Sequence, residues 1–211
     1  MFKKLLLLGL FIIGANQTFA QSGTIEANTG GFSFIPAFAS TNPHFILNLN
    51  TNNKKRLSGH IISNIRMQNG IPTNIIFIGR YKVIDQKFKL IVGYHIPAVQ
   101  INDDFTVKSF RAQEITASYP LTNSFTFSTF FLHGEGTNFD FNANLFCFNG
   151  SYNKKNFNFL TQYYLLNLDN TYGVSETISY KLSNKFSLKG FINKTLSNGD
   201  TKWTLGLNYK L

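Results

Sequence analysis

Cysteine is almost absent from this chain of 211 residues, because Cys147 is the only one. A single thiol cannot form an internal disulfide, which excludes a small secreted domain held together by disulfides. Cys147 lies in the apolar stretch NLFCFN. We interpret it as a small hydrophobic side chain that is either buried or in contact with lipid.

Long apolar runs are lacking too, apart from one near the N-terminus. There Lys3 and Lys4 precede the apolar residues 5–13, and the small residue Ala20 follows. The run is shorter than the roughly 20 residues of a membrane-spanning helix, and the pattern is that of a secretory signal peptide. We expect a signal at 1–20, cleaved after Ala20, and one exported domain at 21–211. The alternative is a buried N-terminal strand or helix.

Acidic residues are few, with 10 Asp and Glu against 20 Lys and Arg. Removal of residues 1–20 takes away Lys3 and Lys4, so 20 − 2 = 18 basic residues remain and the formal charge is 18 − 10 = +8. Such an excess favours anions, anionic lipid headgroups or nucleic acid. An exported chain without a nucleic-acid-binding motif argues against nucleic acid. The four histidines are too scattered for a metal site, and we expect no cofactor.

What the chain does have is aromatic residues, 16% of the total, in segments that alternate between apolar and polar positions. In TKWTLGLNYKL at 201–211, Trp203, Leu205, Leu207 and Tyr209 fall on one face and Lys202 and Lys210 on the other. Such alternation predicts strands, and helical spacing does not occur over three turns. The predicted strands are 44–51, 56–68, 72–84, 87–97, 106–119, 124–133, 138–149, 156–168, 171–182, 185–196 and 200–211.

Strands of this length with apolar-out, polar-in alternation predict an all-β fold, a single antiparallel up-and-down transmembrane β-barrel. The tendency to even strand numbers favours about 12 strands, with 10 as the fallback. The twelfth strand would come from GGFSFIPAF at 30–38, after a flexible start at 21–31. A soluble barrel or sandwich is the alternative. Two irregularities, Glu176 on an apolar face and the interrupted alternation around Phe110 and Arg111, each suggest a β-bulge.

A Tyr, a short polar turn and a Phe recur at four places, which would all be turns on one side of the barrel. If the C-terminus is periplasmic, the turns at 84–86, 120–123, 150–155 and 182–185 are periplasmic as well. Amphipathic aromatic rings collect at the bilayer boundary, so we expect an aromatic girdle there. Its predicted members are Tyr81, Phe88, Tyr119, Phe125, Tyr180 and Phe186.

The chain resembles small bacterial outer-membrane β-barrel proteins of the porin-like class, and its end, LNYKL, is similar to their C-terminal strand signal. The resemblance implies the outer membrane of a Gram-negative bacterium and contact with outer-membrane lipid. Barrels of this size in that class include porins for acidic oligosaccharides and an outer-membrane phospholipase. A channel and a lipid-modifying enzyme are therefore both implied, and the oligomeric state stays open.

Basic residues dominate the face that should line the lumen, with His60, Arg66, Arg80, His95 and Lys189 as candidates for solute contact. Arg66, Arg80 and His95 are expected in the interior, and Lys82, Lys87 and Lys210 at the periplasmic mouth. Such a lumen predicts a passive pore for small, preferably anionic solutes. Two alternatives are open. The cations could only solvate the lumen and pair with Glu114 or Asp140, or long side chains such as Arg66 and Arg80 could close a plugged structural or interaction barrel.

A catalytic site is the weaker prediction. Ser58 stands two residues before His60, and His133 two before Glu135, so each pair could share a face. Ordinary polar residues of the lumen or the rim explain both pairs, and we expect no enzyme.

Overall fold

A computed structural model describes residues 22–30, 36, 39–40, 42–51, 54–102 and 104–211. Twelve antiparallel strands form a closed barrel in which each strand pairs with its neighbours in sequence and β1 pairs with β12. No helix of the described residues is long and apolar enough to cross a membrane. The strands are β1 (Ser22–Asn28), β2 (His44–Asn50), β3 (Leu57–Arg66), β4 (Pro72–Asp85), β5 (Lys89–Ile101), β6 (Val107–Pro120), β7 (Phe125–Gly136), β8 (Asn142–Lys154), β9 (Phe157–Leu166), β10 (Thr171–Lys181), β11 (Phe186–Thr195) and β12 (Thr201–Lys210).

The two ends of the barrel differ in their connections. The terminal end carries Ser22, Leu211 and the turns that follow β2, β4, β6, β8 and β10. The loop end carries the other connections, including the long one between β1 and β2. Gly70 and Gly199 have positive φ in two loop-end hairpins, a conformation that side chains other than Gly rarely adopt.

The prediction of a twelve-stranded antiparallel barrel is confirmed, but the twelfth strand was misplaced. It is β1, within the segment 21–31 that was expected to be flexible. Most of residues 30–38 lie outside the described residues, and β1 ends at Asn28, before that segment begins. The segment SGTIEAN alternates over only seven residues, which explains why its pattern was weak.

One part of the wall reverses the expected polarity. On β8, Ala143, Leu145 and Cys147 face inward, whereas the neighbouring Asn144 and Asn142 face outward. A buried apolar cluster therefore fills the interior along β6–β9, and Leu145 and Tyr164 are completely covered. The cluster consists of Ala112, Leu132, Ala143, Leu145, Cys147, Tyr164 and Leu166.

The same reversal explains the irregular alternation of β6. Phe110 shares the inward face with Ala112 and contacts the rings of Phe139 and Phe141 at centroid distances of 4.9 and 5.3 Å. Arg111 faces outward opposite Glu135. The register shift lies on β5, between His95 and Ala98, so the expected bulge in β6 was wrong.

No bulge repairs Glu176 either. The register of β10 runs without a shift from Gly173 to Lys181 on β11 and from Thr171 to Tyr180 on β9. Glu176 therefore shares the outward face with Val174 and Ile178.

The burial of Cys147 leads to a first prediction. Its side chain is 1% exposed, so a water-soluble maleimide should not label the folded protein and should label it fully after denaturation. The control is Cys147→Ser with Ser151→Cys, because Ser151 is partly exposed on the same face of the same strand, nearer the terminal end. That thiol should react in the folded barrel. Rapid labelling of Cys147 in folded protein would contradict the inward apolar cluster.

Candidate solute path

Glu114 is the centre of a charge cluster inside the barrel. It lies on β6 and receives hydrogen bonds from Arg80 Nε on β4 and, at 3.4 Å, from Arg80 Nη2. His95 Nε2 on β5 lies 2.8 Å from Glu114 Oε2. Arg80 is about one-third exposed, whereas Glu114 and His95 are each 2% exposed. The cluster therefore presents a guanidinium to the lumen and keeps its carboxylate covered.

The carboxylate fits because β5 has no side chain beside it. A Cβ on Gly93 would lie 2.6 Å from Cγ of Glu114, closer than real Cβ contacts. Gly93 is paired with both Arg80 and Glu114 in register. The strands β4 and β6 flank β5, and Gly93 on β5 lets Arg80 and Glu114 meet across it. These two residues are 34 positions apart in the sequence.

His60 extends this cluster to β3. Its Nδ1 lies 3.0 Å from Nη1 of Arg80. A guanidinium only donates, so Nδ1 is the acceptor and the ring proton of the neutral imidazole is on Nε2. No hydrogen bond joins Ser58 to His60 among the described residues, and the nucleophile–base contact of a hydrolase is therefore not formed.

A second cluster lies across the lumen, on β1 and β11. Lys189 Nζ donates to Oε2 of Glu26 at 3.0 Å, and Asn28 Nδ2 donates to Oε1 of the same carboxylate. Glu26 and Asn28 are almost fully buried, and Lys189 is partly exposed. Gly206 on β12 leaves the space, because a Cβ there would lie 2.5 Å from Oε1 of Glu26. Sequence reasoning missed both buried residues, although the alternation of SGTIEAN contained the signal.

Arg66 belongs to neither cluster. It is the last residue of β3 and therefore lies at the loop end, not in the interior with Arg80 and His95. There it borders a wide-mouthed cavity of about 470 Å³. Asp104 is on the same rim, and hydrogen bonds from the side chain and the backbone N–H of Thr106 lower its pKa, so this exposed group stays ionised. The other lining residues are Thr73, Gln100, Ile101 and Asn102.

A belt of buried side chains narrows the lumen, and each of the twelve strands contributes to it. The belt is polar on one side and apolar along β6–β9. Part of the β1–β2 connection adds to it: Pro36 and Ala39 are buried, and Ala39 O accepts a hydrogen bond of 3.0 Å from the inward-facing Lys202. One buried residue from each strand is Glu26, His44, Asn64, Ile78, His95, Glu114, Leu132, Cys147, Tyr164, Ser175, Asn193 and Thr204.

The second histidine pair faces away from the lumen. His133 and Glu135 lie on the outward face of β7 near the loop end, with His133 Nε2 3.1 Å from Glu135 Oε1 and Nδ1 2.8 Å from Asn144 Oδ1. Arg111 Nε donates to Glu135 at 2.7 Å. These are rim residues, and Asp140 is an exposed residue of the connection that follows. Among the described residues, no group of three His, Cys, Asp or Glu is arranged to hold a metal ion.

The six aromatic residues of the repeated unit lie near the terminal end of the barrel, on the outer face of its wall. Tyr81, Tyr119 and Tyr180 are on outward faces close to the terminal end, and Phe125 and Phe186 begin the strands that follow. Phe88 comes directly before β5. Neighbouring rings continue the row, since Phe157 lies 4.7 Å from Tyr180 and Phe186 lies 5.1 Å from Tyr209 between centroids.

With this geometry described, the fold can be compared with known structures. The chain is similar to the KdgM porin, with a TM-score of 0.66 and 9% identity over 89% of this chain and 98% of the porin. A KdgM porin in complex with disordered oligogalacturonate has a TM-score of 0.64 and 9% identity, over 91% and 98% of the two chains. The NanC porin has a TM-score of 0.59 and 11% identity over 90% and 99%. The barrel thus has the fold of outer-membrane porins.

At the level of sequence, no family model matches the chain and no curated protein matches it significantly. The likeness to the porins is therefore one of architecture. At 9–11% identity it shows the fold alone.

The buried ion cluster generates a second prediction. Glu114→Ala should lower the free energy of unfolding by about 3–5 kcal/mol, because it removes the buried carboxylate that accepts the hydrogen bonds of Arg80 and balances its charge. Adding Arg80→Ala should cost less than the sum of the two single changes. Equilibrium unfolding in urea with lipid vesicles gives the free energy of unfolding of the wild type, the two single variants and the double variant.

The matched control is the exposed Arg111–Glu135 pair, with side-chain exposures of 61% and 34%. Its cycle should give a coupling of at most about 1 kcal/mol. Additive effects at Glu114 and Arg80 would contradict a coupled interior cluster.

Proposed function

We propose that this protein is an outer-membrane channel for small solutes with a preference for anions. The observation that supports it best is the charge of the inward face, where basic side chains outnumber acidic ones. Glu26, Asp85 and Glu114 are the acidic residues of that face in the described strands. The basic ones are Arg66, Arg80, Lys82, Lys89, Lys108, Lys181, Lys189, Lys202 and Lys210.

Lys202 is the inward-facing cation that supports this preference best. It lies beside the buried belt and its Nζ donates to the backbone carbonyl of Ala39, and no acidic residue in the described part of the chain pairs with it. Arg80 and Lys189 are each bound to a carboxylate, which reduces their attraction for a solute. A solute anion that enters the narrow region is attracted by a cation that no such carboxylate neutralises. The oligogalacturonate in one KdgM structure is an anion of this kind.

Membrane insertion is supported by the outward faces of the strands. They carry exposed apolar rows from the terminal end toward the loop end, such as Phe77 and Tyr81 on β4 or Leu205 and Leu207 on β12. The row of Tyr and Phe residues at the terminal end supports the proposed girdle at the periplasmic boundary. Signal removal after Ala20 would leave Gln21 directly before β1, which starts at Ser22.

A plugged structural barrel is the second candidate, and the buried belt favours it. All twelve strands and the described part of the β1–β2 connection contribute buried side chains. A barrel of this strand number has a modest interior, so these side chains restrict any open path. Conductance distinguishes the two candidates.

The single tryptophan gives a direct test of insertion. Trp203 is 66% exposed on the outward face of β12, and in vesicles we expect its fluorescence to be blue-shifted and quenched by lipids with brominated acyl chains. The control is Trp203→Phe with Phe105→Trp, because Phe105 lies in the exposed loop between β5 and β6. That tryptophan should respond to iodide instead. Quenching of Trp203 by iodide, with no effect of the lipid bromine, would contradict insertion.

The channel itself is tested in planar bilayers. We expect conductance and, in a salt gradient, a reversal potential whose sign shows that anions permeate better than cations. Lys202→Met should lower the anion-to-cation permeability ratio by about fivefold, since a unit charge about 8 Å away in water stabilises an anion and destabilises a cation by about 0.5 kcal/mol each. Lys194→Met removes the same charge from the outward face of the adjacent strand, where Nζ also donates to a carbonyl, and should change nothing.

Absence of conductance would favour the plugged barrel. Selectivity for cations would contradict the proposed basic lumen.

A further inference from the structure

Glu176 is a carboxylate in the middle of an apolar face. The outward row of β10 reads Tyr172, Val174, Glu176, Ile178, Tyr180. A strand tilted by about 45° rises roughly 2.4 Å per residue along the barrel axis. The two tyrosines are then about 20 Å apart along the axis, close to the height of the apolar band of such barrels. Glu176 lies halfway, about 10 Å from each boundary.

Among the residues that the structure describes, Glu176 has one polar partner. Thr161 on β9 donates its hydroxyl to Oε2 of Glu176 at 2.5 Å. Oε1 has no hydrogen-bond partner among the described residues. On the other side of the strand the neighbour in register is Ile192. A polar atom without a partner in hydrocarbon is costly, because neither water nor a lipid headgroup reaches this depth.

The surface around Glu176 is suited to close contact with another protein wall. We call the outward residues Thr161, Glu176, Ile178, Gly190 and Ile192 the Glu176 face. Gly190 has no side chain and Thr161 has a small one, whereas Ile178 and Ile192 are 42% and 49% exposed and protrude. Low and protruding positions therefore alternate on adjacent strands, which allows one such surface to pack against another.

We propose that two copies of this chain pack in the membrane through the Glu176 face. The partner is a second copy because one Glu176 carboxyl group can form a hydrogen bond with another. A protonated carboxyl donates to a second carboxylate and a neutral pair donates to each other, so the group is its own complement across a two-fold axis. Two apposed Glu176 side chains that share a proton therefore give each Oε1 a partner.

Cross-linking in the native membrane tests the contact. In a Cys147→Ser background, Ile178→Cys should give a dimer with a short membrane-permeant bis-maleimide. The control is Phe77→Cys, an outward apolar position on β4 on the far side of the barrel, which should remain monomeric. Equal cross-linking at both positions, or none at Ile178→Cys, would overturn the proposal.

Substitution of the carboxyl group tests its role. Glu176→Leu should reduce the dimer at least tenfold, measured by native mass spectrometry from detergent and by the same cross-link. Glu176→Gln, which keeps hydrogen-bonding capacity, should retain most of it. The heat-dependent gel shift of folded barrels shows that each variant is folded. A dimer unchanged in Glu176→Leu would overturn the proposal.

The inference rests on the proposed membrane location but not on conduction. Recovery of the protein outside the membrane fraction would contradict the proposed membrane location and therefore also the proposed contact between two copies. A membrane-bound monomer that conducts ions would overturn the contact and leave the channel standing.

Discussion

Closure of the backbone hydrogen-bond ladder is the constraint on which the other features depend. β1 pairs with β12 through the register Ile25↔Tyr209 and Ala27↔Leu207, and the N–H of Leu211 donates to the carbonyl of Gly23. In hydrocarbon a strand can satisfy its backbone groups only in this way, because an open edge would leave them unpaired. Closure also divides the side chains of every strand into an inner and an outer set. Each residue then has to suit one of two media.

The inner set has little room, and that decides how charge is held there. Glu114 fits beside Gly93 and Glu26 beside Gly206, so each buried carboxylate depends on a glycine of the neighbouring strand. Each is also bound to a cation, as the low dielectric of such sites requires. The apolar side chains of β6–β9 occupy the remaining volume on their side. The cations that can attract a solute are therefore those without an acidic partner in the described part of the chain, such as Lys202. Arg80 and Lys189 are already paired with carboxylates.

Alternation in the sequence was sufficient to predict the strands and their antiparallel order, because a two-residue period is a local property. It could not tell which face of β8 is inside, since the pattern separates Leu145 from Asn144 without assigning either to the lumen. β1 was missed because seven residues give too short a pattern. Pairing of the lumenal cations with Glu114 was one of the alternatives, but the choice of Arg80 and His95 as its partners depends on the register of three strands, which alternation does not give. Arg66 was expected in the interior, although its position at the end of β3 places it at the rim.

Polar residues on the outer face differ in meaning with their height along the barrel axis, as the residues near the loop end and Glu176 illustrate. Arg111, Glu135 and Asn144 lie near the loop end, on β6–β8, where strands of 14, 12 and 13 residues exceed the length needed to cross the apolar band. In the proposed membrane location the wall leaves the hydrocarbon there, so outer polar groups meet headgroups or water and the inside can be packed like a soluble protein. Glu176 would lie between Tyr172 and Tyr180, at a depth that neither headgroups nor water reach. A polar residue on the outer wall therefore needs a protein partner only when apolar positions continue both above and below it, and in this barrel Glu176 is such a residue.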